Sequence, residues 1–295
     1  MNPIRVTSWS ELQECLFADA WSESLGRFRS QCAFRGMSDA RYRLDTSLMR
    51  LGGSYDALEH HLLRNFKRYA HRDVVVRDSV WHWLSVAQHH GLPTRLLDWT
   101  HSPLIAAHFA TSNLERFDTD GAIWVVDYVQ THQLLPEKLR AALHAEGANV
   151  FTVDLLSHAV ASLDELATLA EQPFPLFCEP HSIDDRIVNQ YALFSVMSDP
   201  CARLDAWLEA HPHLWRKVVI PAEIKWEIRD KLDQSNITER VLFPGLDGLS
   251  SWLRRHYTPR AHVPPAAPLR GAAPNGAPNG APNGAPNEAD VPPQP

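Results

Sequence analysis

Residues 88–104 read QHHGLPTRLLDWTHSPL and lie between two segments whose apolar residues recur at helical spacing. Gly91-Leu92-Pro93 predicts the end of the first helix. Ser102 before Pro103 predicts the start of the second, because a serine side chain caps free N–H groups and proline fits the first helical turn. We therefore predict a polar loop held between two helices, and binding sites concentrate in loops of this kind.

Outward from this loop, helical and strand-like patterns follow one another without the regular order of a doubly wound sheet. Period-two alternation predicts a strand over 30–35 that Gly36 ends, and the apolar run over 121–126 predicts a central strand. The other expected elements are strands over 191–197 and 217–220 and helices over 8–17, 58–69, 80–87, 151–169, 223–232 and 247–256. We predict an α+β fold.

The composition is typical of a globular protein, with 44% hydrophobic and 21% charged residues in a chain of 295. The net charge of −7 argues against general adhesion to nucleic acid or anionic membranes and leaves room for a local basic cleft. Four cysteines without a C-x-x-C pair indicate reduced thiols. Because no signal peptide and no run of about 18 apolar residues is found, we expect a cytoplasmic protein without membrane contact.

The C-terminal segment has a different composition. It is rich in proline and alanine from Val263 and repeats Ala-Pro-Asn-Gly over 273–287, with no aromatic residue to bury. We predict one folded domain over 1–260 and a disordered tail over 261–295. The tail is either a flexible tether that binds a further partner or an extension without a role.

Several common chemistries lack their sequence patterns. The chain has no G-x-G-x-x-G, no P-loop, no G-x-S-x-G and no H-E-x-x-H. Cys178 with His181, and His211 with His213, have metal-like spacing, but no second pair completes a zinc site. We expect no metal cofactor.

The polar loop supplies the first candidate site residues. Arg95 could clamp a phosphate or carboxylate, and Trp99 could stack on a planar ring. Asp98 and Thr100 could bond to a ribose or an amide. The alternative is a loop that satisfies itself, in which Arg95 pairs with Asp98 and Trp99 is a core residue.

Two further segments place polar side chains next to predicted strands. Arg35, followed by Gly36 at a strand end, could reach a bound anion, or could tie down a neighbouring loop. The segment 186–194 leads from Arg, Asn and Gln into a strand-like run, and amide side chains there could orient a ligand. Its alternative is an edge strand with polar residues directed outward.

Together these segments resemble the FRG domain, a family named for its Phe/Tyr-Arg-Gly motif. The resemblance extends over about residues 10–200, and the segment 242–248 also resembles the family's C-terminal end. The residues that carry it are Phe34-Arg35-Gly36, Tyr42, Leu44, Ser47, Leu48, Arg50, residues 88–100, Ser102-Pro103-Leu104, Ala106 to Ala110, Arg186-Ile187 and Gln190 to Phe194.

A more distant resemblance links the order of motifs to ADP-ribosyltransferases of the arginine–serine–glutamate group. It implies a central, mainly antiparallel split sheet flanked by helices, with NAD as the substrate. Arg35 takes the position of the arginine, and 98–100 takes that of the Ser-Thr-Ser strand. Gln190 stands where a glutamate is expected, and Glu239 is a substitute acid.

The resemblance thus implies an NAD-dependent ADP-ribosyltransferase that modifies nucleic acid or protein, an activity suited to a toxin or phage-defence effector. Its implied catalytic residues are Arg35, Asp98, Gln190 and Glu239. Its implied NAD-binding residues are Arg35, Gly36, Tyr42, His89, His90, Thr94, Arg95, Trp99 and Thr100. Two alternatives stay open: a nucleotide- or nucleic-acid-binding module without turnover, and a nucleic-acid-processing enzyme that uses His89 or His90 as a base.

Overall fold

The computed structural model describes residues 3–23, 25–70, 74 and 79–260. The predicted tail over 261–295 lies outside these residues. The strands are β1 (Ile4–Arg5), β2 (Trp21–Ser22), β3 (Arg27–Phe28), β4 (Cys32–Met37), β5 (Leu96–Thr100), β6 (Gly121–Asp127), β7 (Phe151–Thr152), β8 (Pro175–Glu179), β9 (Ala192–Met197) and β10 (Trp215–Ile220). The helices are α1 (Trp9–Phe17), α2 (Tyr55–Ala70), α3 (Val80–His89), α4 (Pro103–Thr111), α5 (Tyr128–Gln133), α6 (Glu137–Glu146), α7 (Val153–Ala159), α8 (Leu163–Thr168), α9 (Asp185–Gln190), α10 (Leu204–Glu209), α11 (Lys225–Gln234), α12 (Glu239–Leu242) and α13 (Leu246–His256).

One large mixed sheet forms the centre of the fold. Its strand order is β1-β10-β6-β4-β5-β9-β8-β7, while β2 and β3 form a separate hairpin. The pairs at the two outer ends, β1 with β10 and β7 with β8, are parallel, and the pairs between them are antiparallel. The predicted α+β fold with a mainly antiparallel sheet is confirmed.

The sheet is split between β4 and β5. These two strands share a single register pair, Phe34 with Thr100, whereas β4 pairs with β6 along its whole length. Beyond that pair, towards Arg35 on one strand and Asp98 on the other, the register does not continue. The main chains therefore diverge at the two positions that the sequence singles out.

Gly36 does not end its strand, contrary to the prediction, because β4 continues to Met37. A Cβ atom at Gly36 would lie 1.9 Å from the carbonyl oxygen of Ala106 in α4. Glycine is required here because the main chain of a helix crosses directly over the strand.

Both faces of the sheet are covered. Along β6, Ile123 and Val125 pack with α1, α4 and α11, while Trp124 and Val126 pack on the other face, which includes residues of α10. This alternation follows from the two-residue period of a strand. A third apolar cluster includes residues of α3, α6, α7 and α8. No helix within the described residues is long and apolar enough to span a bilayer.

The predicted helices over 8–17, 80–87 and 247–256 are confirmed, and Ser8 and Ser102 cap α1 and α4 as expected. The predicted helix over 151–169 is wrong in part, because Phe151 and Thr152 pair with β8 before α7 begins. The segment 186–190 is also not a strand, since it belongs to α9. Tyr191 then ends that helix in the left-handed conformation.

Candidate functional site

A cleft of about 520 Å³ opens where β4 and β5 separate. Its charged and polar lining comes from β4, the turn after it, α3, β5 and α9. The lining residues that carry chemistry are Arg35, Ser47, Arg50, Gln88, His89, His90, Asp98 and Arg186. The structure therefore brings the FRG-type arginine, the polar loop and the 186–194 segment to one place.

Arg35 lies at the split, and its side chain is only 18% exposed. Its Nη1 donates to the main-chain carbonyl of Asp98 and lies 3.9 Å from the carboxylate Oδ2 of the same residue. Burial lowers the pKa of Arg35, and the Asp98 charge opposes that effect. Its Nε is buried and has no hydrogen-bond partner among the described residues. One donor of this guanidinium is therefore left for an acceptor that the protein does not supply.

Asp98 is held in place by a short chain of side chains. Gln88 Nε2 donates to Asp98 Oδ1 at 2.9 Å, and Thr94 Oγ1 donates to Gln88 Oε1 at 2.6 Å. Thr94 is almost fully buried, and its main-chain N–H donates to Ser47 Oγ. The prediction that Thr94 binds NAD directly is therefore wrong. Thr94 does not line the cleft and acts on it indirectly, by orienting Gln88, which does.

His89 and His90 end helix α3 and line the same cleft. His89 Nε2 lies 2.6 Å from Asp184 Oδ2. Burial lowers the pKa of His89, while the Asp184 carboxylate opposes that shift. The contact with Asp184 thus fixes the orientation of the His89 ring at the edge of the cleft. His90 is exposed, and its ring lies 5.0 Å from that of His89.

Arg50 and Arg186 complete the cleft, and sequence reasoning did not name either among the site residues. Arg50 Nη1 donates to the carbonyl of Asp45, and Arg186 Nη1 donates to that of His89 at 3.4 Å. Both residues belong to the motifs that carry the family resemblance, so the sequence already pointed to them. What was missing was the fold, which places the turn after β4 and helix α9 on the same cleft as Arg35.

A smaller compartment of about 220 Å³ adjoins the cleft and shares Arg35, Asp98 and Arg186 with it. Its other lining residues are mainly apolar or small, and they are Phe34, Gly36, Trp99, Thr100, Phe109, Gln190 and Ala192.

Two polar side chains of this compartment, Thr100 and Gln190, are already hydrogen-bonded within the protein. Thr100 Oγ1 donates to the carbonyl of Gln190, and Gln190 Nε2 donates to the carbonyl of Leu242. Gln190 therefore borders the site, but its amide N–H holds helix α12 in place.

The predicted stacking of Trp99 on a ligand ring is disfavoured, because Trp99 borders the smaller compartment but its side chain is buried in a core cluster. Asp98 and Trp99 are adjacent in β5, and their side chains point to opposite faces. The indole Nε1 donates to Ser195 Oγ at 2.8 Å, and the ring packs edge-on against Phe177. These contacts agree with the alternative interpretation of Trp99 as a core residue.

Arg95 is also not available to a ligand. Its Nε lies 2.8 Å from both carboxylate oxygens of Glu59, and its Nη1 lies 3.4 Å from the carbonyl of Ser198. Both Arg95 and Glu59 are buried, so the pair joins α2 to the start of β5. The predicted phosphate clamp is replaced by a structural ion pair, with Glu59 rather than Asp98 as the partner.

Two more predicted residues lie outside the cleft. Tyr42 lines neither compartment. Glu239 is buried at the start of α12, where its carboxylate accepts from Arg255 Nε at 2.7 Å. Since Glu239 is not among the lining residues and is already paired, it does not serve as a substitute acid.

The comparisons with known proteins give one positive result. No curated protein and no solved structure matches the chain. The family model of the FRG domain matches residues 30–119, a segment that includes Phe34-Arg35-Gly36 and all of the polar loop over 88–100. This segment supplies every chemical group of the cleft except Arg186. The chain therefore contains an FRG domain, and the cleft is built chiefly from it.

Proposed function

We propose that the cleft binds NAD and transfers its ADP-ribose group to an acceptor. One observation carries the proposal: Arg35 and Asp98 face each other where the sheet splits, and Arg35 keeps an unpartnered buried donor. A guanidinium in such a position is suited to an anionic oxygen of a pyrophosphate. The motif order that resembles the ADP-ribosyltransferases supports the same assignment.

The reaction requires few groups. The bond between ribose C1′ and the nicotinamide nitrogen breaks, and its electron pair neutralises the positive charge of the departing ring. A new bond forms between C1′ and the acceptor atom, whose proton passes to a base. The developing positive charge on the ribose is stabilised by a nearby carboxylate. Positioning of the two reactants supplies much of the remaining rate.

Asp98 is the best candidate for that carboxylate. Among the described residues that line the two compartments, it is the only acidic one. Gln88 holds one of its oxygens, and the other lies 3.9 Å from Arg35. The carboxylate is thus oriented within the cleft, as a residue that acts on the ribose or the acceptor would have to be.

The direct test is incubation of the full chain with NAD and chromatographic measurement of released nicotinamide. We expect release by the wild-type protein and a loss on the order of a hundredfold in Arg35→Ala and Asp98→Asn. Asp247→Asn is the matched control, because Asp247 is exposed and lines neither compartment. Absence of nicotinamide release by folded wild-type protein would contradict the proposal.

A binding module without turnover is the second candidate. It is favoured by Gln190, which replaces the expected glutamate and whose amide is committed to Leu242. For this function, calorimetry would detect NAD or ADP-ribose binding that Arg35→Ala abolishes, with no nicotinamide produced.

A third candidate, phosphodiester cleavage with His89 as the base, is favoured by the His89–Asp184 pair. It predicts nicking of DNA or RNA in the absence of NAD and loss of nicking in His89→Ala. If the transfer activity is found, we further propose that the protein acts in the cytoplasm as a toxin or phage-defence effector.

A further inference from the structure

Arg50 and Arg186 carry charges that no carboxylate of the described residues neutralises through an ion pair. Each donates to a main-chain carbonyl through one terminal nitrogen. Neither forms an ion pair with a carboxylate within the described residues. By contrast, most other arginines that form hydrogen bonds in the described structure also pair with a carboxylate. Their remaining N–H donors are free to bind an anion.

These two exposed arginines lie on different structural elements and line the cleft together. Arg50 belongs to the turn over 49–51 and Arg186 to α9, and both line the cleft that contains Arg35 and Asp98. We call Arg50 and Arg186 the rim arginines. The charge of Arg50 acts on Arg35, lowering its pKa in addition to the larger effect of burial. Among the described residues, the lining of the cleft thus includes three guanidinium groups and one carboxylate, in a chain whose net charge is −7.

Arg186 is held in position before any ligand binds. Its guanidinium carbon lies 5.1 Å from the centre of the Phe243 ring, a cation–π contact. Phe243 follows α12, and Gly248 of α13 approaches it so closely that a Cβ there would lie 1.8 Å from the Phe243 carbonyl. Asn189 and Gln190 donate to the carbonyls of Val241 and Leu242 and fix α9 to the same unit. Such pre-organisation reduces the entropy lost when a ligand binds.

We propose that the acceptor for ADP-ribose is a nucleic-acid strand, with its phosphates bound by the rim arginines of the cleft that contains Asp98. This inference rests on the proposed function. A strand carries a phosphate at every nucleotide, so it satisfies two separate guanidinium groups at once. A protein acceptor that presents an arginine or lysine would be repelled by the same charges.

The test combines strand binding with transfer, and it uses the full chain throughout. Binding of a short fluorescein-labelled single strand, as DNA and as RNA, is measured by fluorescence anisotropy over a series of salt concentrations without NAD. The variant is Arg50→Ala/Arg186→Ala. Its matched control is Arg64→Ala/Arg254→Ala, which removes the same charge from exposed positions that line neither compartment. Separately, wild-type protein receives labelled NAD with the strand and with a protein mixture.

We expect the rim variant to lose at least about tenfold in strand affinity at low salt, while the control keeps the wild-type affinity. The slope of log affinity against log salt should become shallower by about 1.4, because each phosphate contact on a single strand contributes about 0.7. Labelled ADP-ribose should appear on the strand.

The inference is overturned if wild-type protein does not bind the strand, if the rim variant binds it as tightly as wild type, or if the label marks only protein. If the strand binds through the rim arginines but no nicotinamide is released, the proposed function is contradicted, and the rim arginines are supported as a nucleic-acid site. Nicotinamide release without strand binding contradicts the acceptor alone.

Discussion

Thr94 determines which side of the Gln88 amide faces Asp98. The Thr94 hydroxyl accepts a hydrogen bond from the main-chain N–H of Leu96 at 3.1 Å, so its own proton goes to Gln88 Oε1. The NH₂ group of Gln88 is then directed at the Asp98 carboxylate. A buried hydroxyl thus orients the carboxylate of the cleft without touching it.

Replacing Thr94 with valine should release this arrangement. The variant keeps the shape of the side chain but leaves Gln88 Oε1 and the Leu96 N–H without partners, which costs about 1–3 kcal/mol of stability for each buried group. We expect nicotinamide release to fall between about tenfold and a hundredfold in protein that is still folded. Circular dichroism and the release assay check both parts. Thr94→Ser keeps the hydroxyl and should retain most of the activity, and equal losses in both variants would refute the role of the hydroxyl.

Gly36→Ala should destabilise the whole fold. The added Cβ would overlap the carbonyl of Ala106, and neither the strand nor α4 can move away without disrupting the core. We expect a loss of about 3 kcal/mol or more in the free energy of unfolding, measured by urea denaturation. Gly91→Ala is the comparison, since its Cβ would meet no atom within 4 Å and only its positive φ is unfavourable, at about 1–2 kcal/mol. Similar losses in the two variants would argue against a steric cause.

Glu59→Gln should destabilise the protein because it leaves the charge of Arg95 without a partner. Arg95 would remain buried without its counter-ion, at a cost of about 3–5 kcal/mol. The double variant Glu59→Met/Arg95→Met removes both charges and should recover most of that loss. Thermal and urea unfolding of the single and double variants measure the difference. If the double variant is as unstable as the single one, packing rather than charge is the cause.

Stability should decrease in mild acid because of His132. Its Nδ1 lies 2.8 Å from the carbonyl of Asn149, and its Nε2 accepts from the N–H of Phe177 at 2.9 Å, so the folded state requires the neutral ring. Burial lowers the pKa of His132 to about 4 from its ordinary 6.5. The unfolded chain therefore takes up the proton first, and stability falls as the pH drops from about 6.5 to about 4.

The full loss from this residue is on the order of 3 kcal/mol, since each pKa unit corresponds to about 1.4 kcal/mol. Urea denaturation at pH 7, 5.5 and 4 measures it. His132→Gln keeps a donor and an acceptor without a titrating group, so its stability should change less over this range. His108, whose pKa burial lowers to about 3, contributes in the same direction and remains in both proteins.

The local patterns predicted the elements around the site well. The caps at Ser8 and Ser102 and the apolar run of β6 depend on neighbouring residues, so short-range rules identified them. The partner of Arg95 could not be found in this way, because Glu59 is 36 residues away. On α2, the apolar residues Leu58 and Tyr69 recur at helical spacing, but both are exposed and the buried positions are Glu59 and Leu63. From local sequence alone, a buried charged residue with a distant partner is indistinguishable from a charged surface residue.

The sequence predicted some residues of the site correctly and missed others. Arg35, Asp98, His89 and His90 were named and do line the cleft. The core position of Trp99 depends on the pairing of β5 with β9, and the role of Arg95 depends on its distant partner Glu59. The rim arginines required knowledge of which elements meet at the split, and local sequence patterns do not carry that information.

The C-terminal helices have a practical consequence for work on FRG domains. Arg186 and the ring of Phe243 that supports it both lie beyond residue 119, where the family match ends. A polypeptide trimmed to the matched segment would keep β4, β5 and Arg35 but would lose β9, which pairs with β5 along its whole length. We expect such a fragment to expose an apolar strand edge and to aggregate. Recombinant work on this group of proteins should therefore retain the chain through α13.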